Sequence, residues 1–75
     1  MSGAELEAAL RELLSAQVEV PADPGAPLAL PSLSLVVVAE ELEARFGFVV
    51  AARELVAANF GSLAALGEYC KRKSR

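Results

Sequence analysis

The sequence predicts a small all-α four-helix bundle, with three longer helices, a short third one and a long first loop. Three observations predict it. Apolar residues recur at three- and four-residue steps in three separate stretches, capping serines or stopping glycines stand at the ends of those stretches, and all four prolines fall in the gap between the first and second. A chain of 75 residues makes a single domain, 1–75, with one small core. Because 55% of the residues are hydrophobic and only 5% aromatic, that core is built from Leu, Val and Ala, with Phe46, Phe48 and Phe60 as bulky anchors.

The first helix opens on a capping-box pattern, Ser2 followed three residues later by Glu5. Leu6, Ala9, Leu10, Leu13 and Leu14 share one face of it, and Glu5, Glu7, Arg11 and Glu12 occupy the others. The pattern fades near Val18. Pro21, Pro24, Gly25, Pro27 and Pro31 then forbid a regular element, which leaves a loop of about a dozen residues, long enough in a compact domain to imply a use. Val18, Glu19 and Val20 alternate as a strand would, but no partner strand follows, so they read as loop.

The second helix starts at Ser32 or Ser34 and stops at Gly47, a left-handed stop after Phe46. Leu35, Val38, Ala39, Leu42 and Phe46 form its buried stripe; Glu40, Glu43 and Ala44 face out; Val36, Val37 and Glu41 lie toward the edges. Residues Arg53 to Phe60 suit one or two helical turns with Leu55, Val56 and Phe60 as contacts, ended by Gly61. Ser62 caps the last helix, whose inward stripe is Leu63, Leu66, Tyr69 and Cys70. Such helices pack as a bundle.

Charge and composition exclude several functions. Residues 1–69 hold all ten carboxylates against three arginines, and Lys71, Arg72, Lys73 and Arg75 then bring the net charge to −3. An acidic body repels phosphate backbones, so no nucleic-acid partner is expected, and the basic tail reads as cations opposing the negative end of the last helix dipole. Cys70 is the only cysteine and reads as a small core hydrophobe in a protein of a reducing compartment. The absence of histidine removes the commonest general base and metal ligand, and there is no phosphate-cradling glycine loop, so a stand-alone enzyme is not expected. The longest mostly apolar run, Ala26 to Ala39, is broken by prolines and serines and is too short to span a bilayer; the expectation is a cytoplasmic monomer with no membrane partner.

Ser32, where the proline-rich loop meets an apolar helix, is either a helix cap or an attachment point. The layout and the residues around it resemble the acyl and peptidyl carrier protein family. That family carries a serine followed by leucine at the start of its second helix, then an apolar stripe running to an aromatic residue and a glycine. Here Ser32 and Leu33 are followed by Leu35, Val38, Leu42, Phe46 and Gly47, with Phe46 fourteen residues beyond Ser32 as the family's spacing requires. Asn59, Phe60, Gly61, Ser62 and Leu63 also match the segment before the last helix of discrete carriers, so the resemblance covers nearly the whole chain. One position departs from the pattern: the family usually has an acidic residue, most often Asp, directly before the serine, and this chain has Pro31. The leading turn of the recognition helix is also apolar, with Val36 and Val37 ahead of Glu40, Glu41 and Glu43, closer to peptidyl or specialised discrete carriers than to the fatty-acid carrier.

The resemblance implies a bundle of acyl-carrier type with no catalysis of its own. A phosphopantetheinyl transferase would transfer 4'-phosphopantetheine from coenzyme A to the Ser32 hydroxyl. The arm would hold an acyl or aminoacyl group as a thioester for fatty-acid, polyketide or nonribosomal-peptide-type biosynthesis. Tethering raises the effective concentration of the carried group at each docked enzyme. Ligases and synthases would dock transiently around Leu33, Val36, Val37, Glu40, Glu41 and Val56, and the small side chains between the second and third helices would let the core open to shelter cargo. The bland alternatives are core packing for Leu33, ordinary apolar surface for the valines and a solvated helix face for the glutamates. The alternative function is a carrier-like interaction module that is not phosphopantetheinylated, in keeping with Pro31.

Overall fold

A computed structural model gives the fold over residues 2–74; Arg75 of the basic tail lies outside the described residues. Helix α1 spans Gly3–Ser15, α2 Ser32–Phe46, α3 Ala57–Phe60 and α4 Leu63–Lys73, with a 3₁₀ turn at Ala52–Glu54. Among the described residues the only extended pairing is an isolated antiparallel bridge between Pro27 and Ser62, so the chain is all-α. Helix α1 packs on α4 and α2, and α3 packs on α4.

The helix ends follow local chemistry. Ser2 Oγ accepts the Glu5 amide at 3.2 Å and its hydroxyl donates to the Glu5 carboxylate at 3.1 Å. This corrects the capping-box expectation, since Glu5 reaches the serine side chain rather than its backbone amide. Gly47 ends α2 in the left-handed region at φ 77°, where a side chain would be strained, and donates to Glu43 O at 3.0 Å. Ser62 Oγ accepts the Ala65 amide at 3.0 Å and starts α4.

The core joins Leu6, Leu10, Leu13 and Leu14 of α1 to Val38 and Leu42 of α2, Phe60 of α3, and Leu63, Leu66, Tyr69 and Cys70 of α4, closed by Leu28 from the loop. Each such large aliphatic side chain withdrawn from water contributes about 1.5–3 kcal/mol before chain entropy is counted. Ala9, Leu35 and Phe46, expected on buried stripes, are half-buried at its margin. The aromatic centre also differs from expectation: Phe60 is buried, but Phe46 and Phe48 are half-buried and Tyr69, 1% exposed, is the hub. Phe48 meets the Tyr69 ring edge-on at 6.0 Å and Phe60 tilts against it at 5.3 Å.

The one or two helical turns expected over Arg53 to Phe60 are two: the 3₁₀ turn and α3 are single turns separated at Leu55 and Val56, whose backbones leave the helical region. One further expectation is corrected: Glu43 does not face outward. Its carboxylate bends past the end of α2 and accepts the Val50 amide at 2.8 Å.

The loop over 16–31 is fastened at three places. Arg11 of α1 donates through Nη1 to Pro21 O and through Nη2 to Ala22 O, both at 2.8 Å, while Glu7 holds its Nε at 3.3 Å. The Ala64 amide of α4 donates to Pro24 O at 2.8 Å, and the Leu28 amide donates to Gly61 O at 2.7 Å. At Gly61 any Cβ would collide with the Ala57 carbonyl, so the close turn requires glycine. Among the described residues no helix is long and apolar enough to cross a membrane.

Candidate functional site

Ser32 is the first residue of α2 and is exposed. Pro31, extended at φ −60° and ψ 156°, occupies the cap position, and no side chain caps this helix end. Ser32 is therefore not the N-cap that the bland reading made it. Proline suits this place because its missing amide costs nothing before a helix, and its carbonyl accepts the Leu35 amide at 2.8 Å to start the first turn. That turn contains no acidic residue, so the positive end of the α2 dipole meets solvent beside the serine without a carboxylate to balance it.

Beyond Ser32, five of the predicted docking residues fall at helical spacing on one face. Leu33 and Val36 are exposed, at 78% and 46%, Val37 is half-buried, and Glu40 and Glu41 are exposed. The face is thus apolar near the serine and acidic one to two turns later. Leu33 makes no part of the core. Val56, at the break before α3, is 47% exposed. Val49 is 74% exposed on the connector after α2 and was not singled out by sequence reasoning.

A cleft of about 190 Å³ opens beside this region, lined by Leu28, Leu30, Leu35, Leu55, Val56 and Phe60. Leu30 and Leu35 flank Ser32 in the chain, so the cleft and the serine share the same loop-to-helix junction.

The densest polar cluster centres on Glu54. Its Oε1 accepts the Ala51 amide at 2.9 Å and the Tyr69 hydroxyl at 3.1 Å, and Lys73 Nζ donates to both carboxylate oxygens at 3.0 and 3.2 Å. The Ala51 amide, then Lys73, hold the Glu54 carboxyl down from an ordinary 4.5 to about 2. Burial, then the neighbouring carboxylate, push the Tyr69 phenol well above its ordinary range, so it stays a neutral donor. Arg72 Nη2 donates to Asn59 Oδ1 at 2.9 Å, and Asn59 Nδ2 donates to Glu54 O at 2.9 Å. Sequence reasoning counted Glu54 only as one acid among ten, because a pairing nineteen residues long leaves no local pattern.

No protein-family model, curated protein or solved structure matches this chain. The chemistry is therefore read from the residues. Among the described residues there is no group of three metal-capable side chains. Cys70 is 1% exposed and burial pushes its thiol up to about 11, which makes it a poor nucleophile. Ser32 offers an exposed hydroxyl at an uncapped helix end.

Proposed function

We propose that the chain is an acyl or aminoacyl carrier protein and that Ser32 Oγ is the attachment point for 4'-phosphopantetheine. The observation that carries this reading is an exposed hydroxyl on the first residue of α2, at a helix end with neither a side-chain cap nor an acidic residue in its first turn. Such an end suits a phosphodiester: the outward first-turn amides and the positive dipole end favour its negative charge, and no carboxylate in that turn repels it. When bound, the group supplies a flexible arm whose thiol carries the acyl or aminoacyl cargo as a thioester.

The chain's own residues have three tasks. Pro31 and the fastened loop present the hydroxyl to solvent at a fixed place. Leu33, Val36, Val37, Glu40 and Glu41, with Val56 nearby, offer a transferase, ligase or synthase a small apolar surface edged by negative charge, suited to brief docking. The cleft between Leu30, Leu35 and Leu55 offers apolar shelter next to the tether.

The second reading, an interaction module without the arm, is favoured by Pro31 standing where carriers usually have an acid. One experiment separates the two. The chain is incubated with coenzyme A, magnesium and a broad-specificity phosphopantetheinyl transferase, and its intact mass is recorded. A gain of one phosphopantetheine, kept in Ser34→Ala and lost in Ser32→Ala, is the expected result; an unchanged mass under conditions that load a known carrier rules out the attachment.

A further inference from the structure

A groove of about 290 Å³ lies between α1 and α2, lined from α1 by Glu12 and Leu13 and from α2 by Val37, Val38, Glu41 and Arg45. Leu13 and Val38 belong to the core and Val37 is half-buried, so its base is apolar, while Glu12, Glu41 and Arg45 are exposed and give it a charged edge. Two of the three edge charges pair. Arg45 Nη2 stands 3.7 Å from Glu12 Oε1, beyond hydrogen-bond length, with 40% and 76% of the two side chains open to water. Such a pair is weak and readily exchanged. Among the described residues no cation pairs with Glu41.

We infer that this groove receives an arginine side chain of a partner protein, and that Arg45 is the internal occupant it displaces. The chain's own guanidinium already stands against one carboxylate of the groove, which marks the chemistry the site accepts. An incoming arginine would lay its propyl stem on the apolar base at Val37 and bring its planar head to two carboxylates, Glu12 and Glu41, one of them unpaired. Releasing Arg45 costs little, because it sits in the last turn of α2, where the helix dipole and solvent still favour its charge. The groove continues the docking face of the proposed carrier onto α1 and takes its partner from that reading; the test involves neither a transferase nor Ser32, so the two can fail separately.

The probe is n-butylguanidinium, an arginine head on a plain apolar stem, titrated into the unmodified chain while amide and methyl NMR shifts are followed. Shifts should gather at Leu13, Val37 and Arg45, and guanidinium without the stem should bind severalfold more weakly. Arg45→Gln should strengthen binding of the probe by up to about fivefold, the worth of an exposed ion pair, and Glu12→Gln and Glu41→Gln should weaken it by a similar factor. Arg53→Gln, which removes the same charge from an exposed position outside the groove, should change it far less. The stem comparison needs only the unaltered chain, which keeps the test valid if a variant fails to fold. The inference is overturned if the shifts spread over the other carboxylates, if bare guanidinium binds as tightly as the alkylated ion, or if Arg45→Gln gains no more than Arg53→Gln.

Discussion

Glu54 shows how one carboxylate can organise a neighbourhood. Its amide, phenol and ammonium donors all favour the ionised form, which is why its pKa falls to about 2. The sign for stability follows directly: the folded value lies below the ordinary 4.5, so the link is complete above that pH and is lost as pH falls toward 2. A carbon-detected NMR titration of the Glu54 carboxyl should therefore give a midpoint near 2. A midpoint in the ordinary carboxylate range would show that the three donors do not engage it together. Cys70, the residue after Tyr69 on α4, illustrates the opposite environment, where burial keeps the thiol protonated.

At the scale of the element, the first loop behaves as part of the scaffold. The Arg11 guanidinium forks onto two adjacent carbonyls, a geometry that an ammonium cannot copy. Arg11→Ala should lower stability by about 1–2 kcal/mol in a denaturant melt, and Arg11→Lys should restore only part of it. Full recovery in the lysine variant would show that charge, rather than the fork, is what matters. The helices themselves were legible in the sequence. Leu6, Leu10, Leu13 and Leu14 announce a face by their spacing, and Ser2, Gly47 and Ser62 mark ends because capping is a local event. The polar fastenings were not legible. Arg11, Glu43 and Glu54 each reach a backbone or side-chain partner that no periodicity places, and Glu43 was assigned to the outer face because its helix position alone was read. The break at Leu55 and Val56 was hidden too, since nothing between Arg53 and Phe60 is a helix breaker. Of the candidate site, the position of Ser32 at a helix start could be read from Pro31, whereas its freedom from capping and the cleft beside it required the fold.

For the whole molecule, so small a core leaves little margin. By the usual yield per residue a chain of this length has about 4–11 kcal/mol of stability. Leu10 is fully buried between α1 and α4, so Leu10→Ala should cost about 3 kcal/mol and be visible as a much lower midpoint in denaturant. A loss below about 1 kcal/mol would mean that the bundle repacks around the void. The same arithmetic explains why fastenings worth about a kilocalorie each matter here.

Helix α4 moors both connecting segments: its amide at Ala64 and the adjacent Gly61 hold the loop ahead of Ser32, and its Tyr69, Arg72 and Lys73 hold the segment across the cleft. The outer side chains of α2 take part in neither mooring. Its solvent-facing turn is consequently free to be rewritten, by selection or by a protein engineer, without disturbing the framework that displays Ser32.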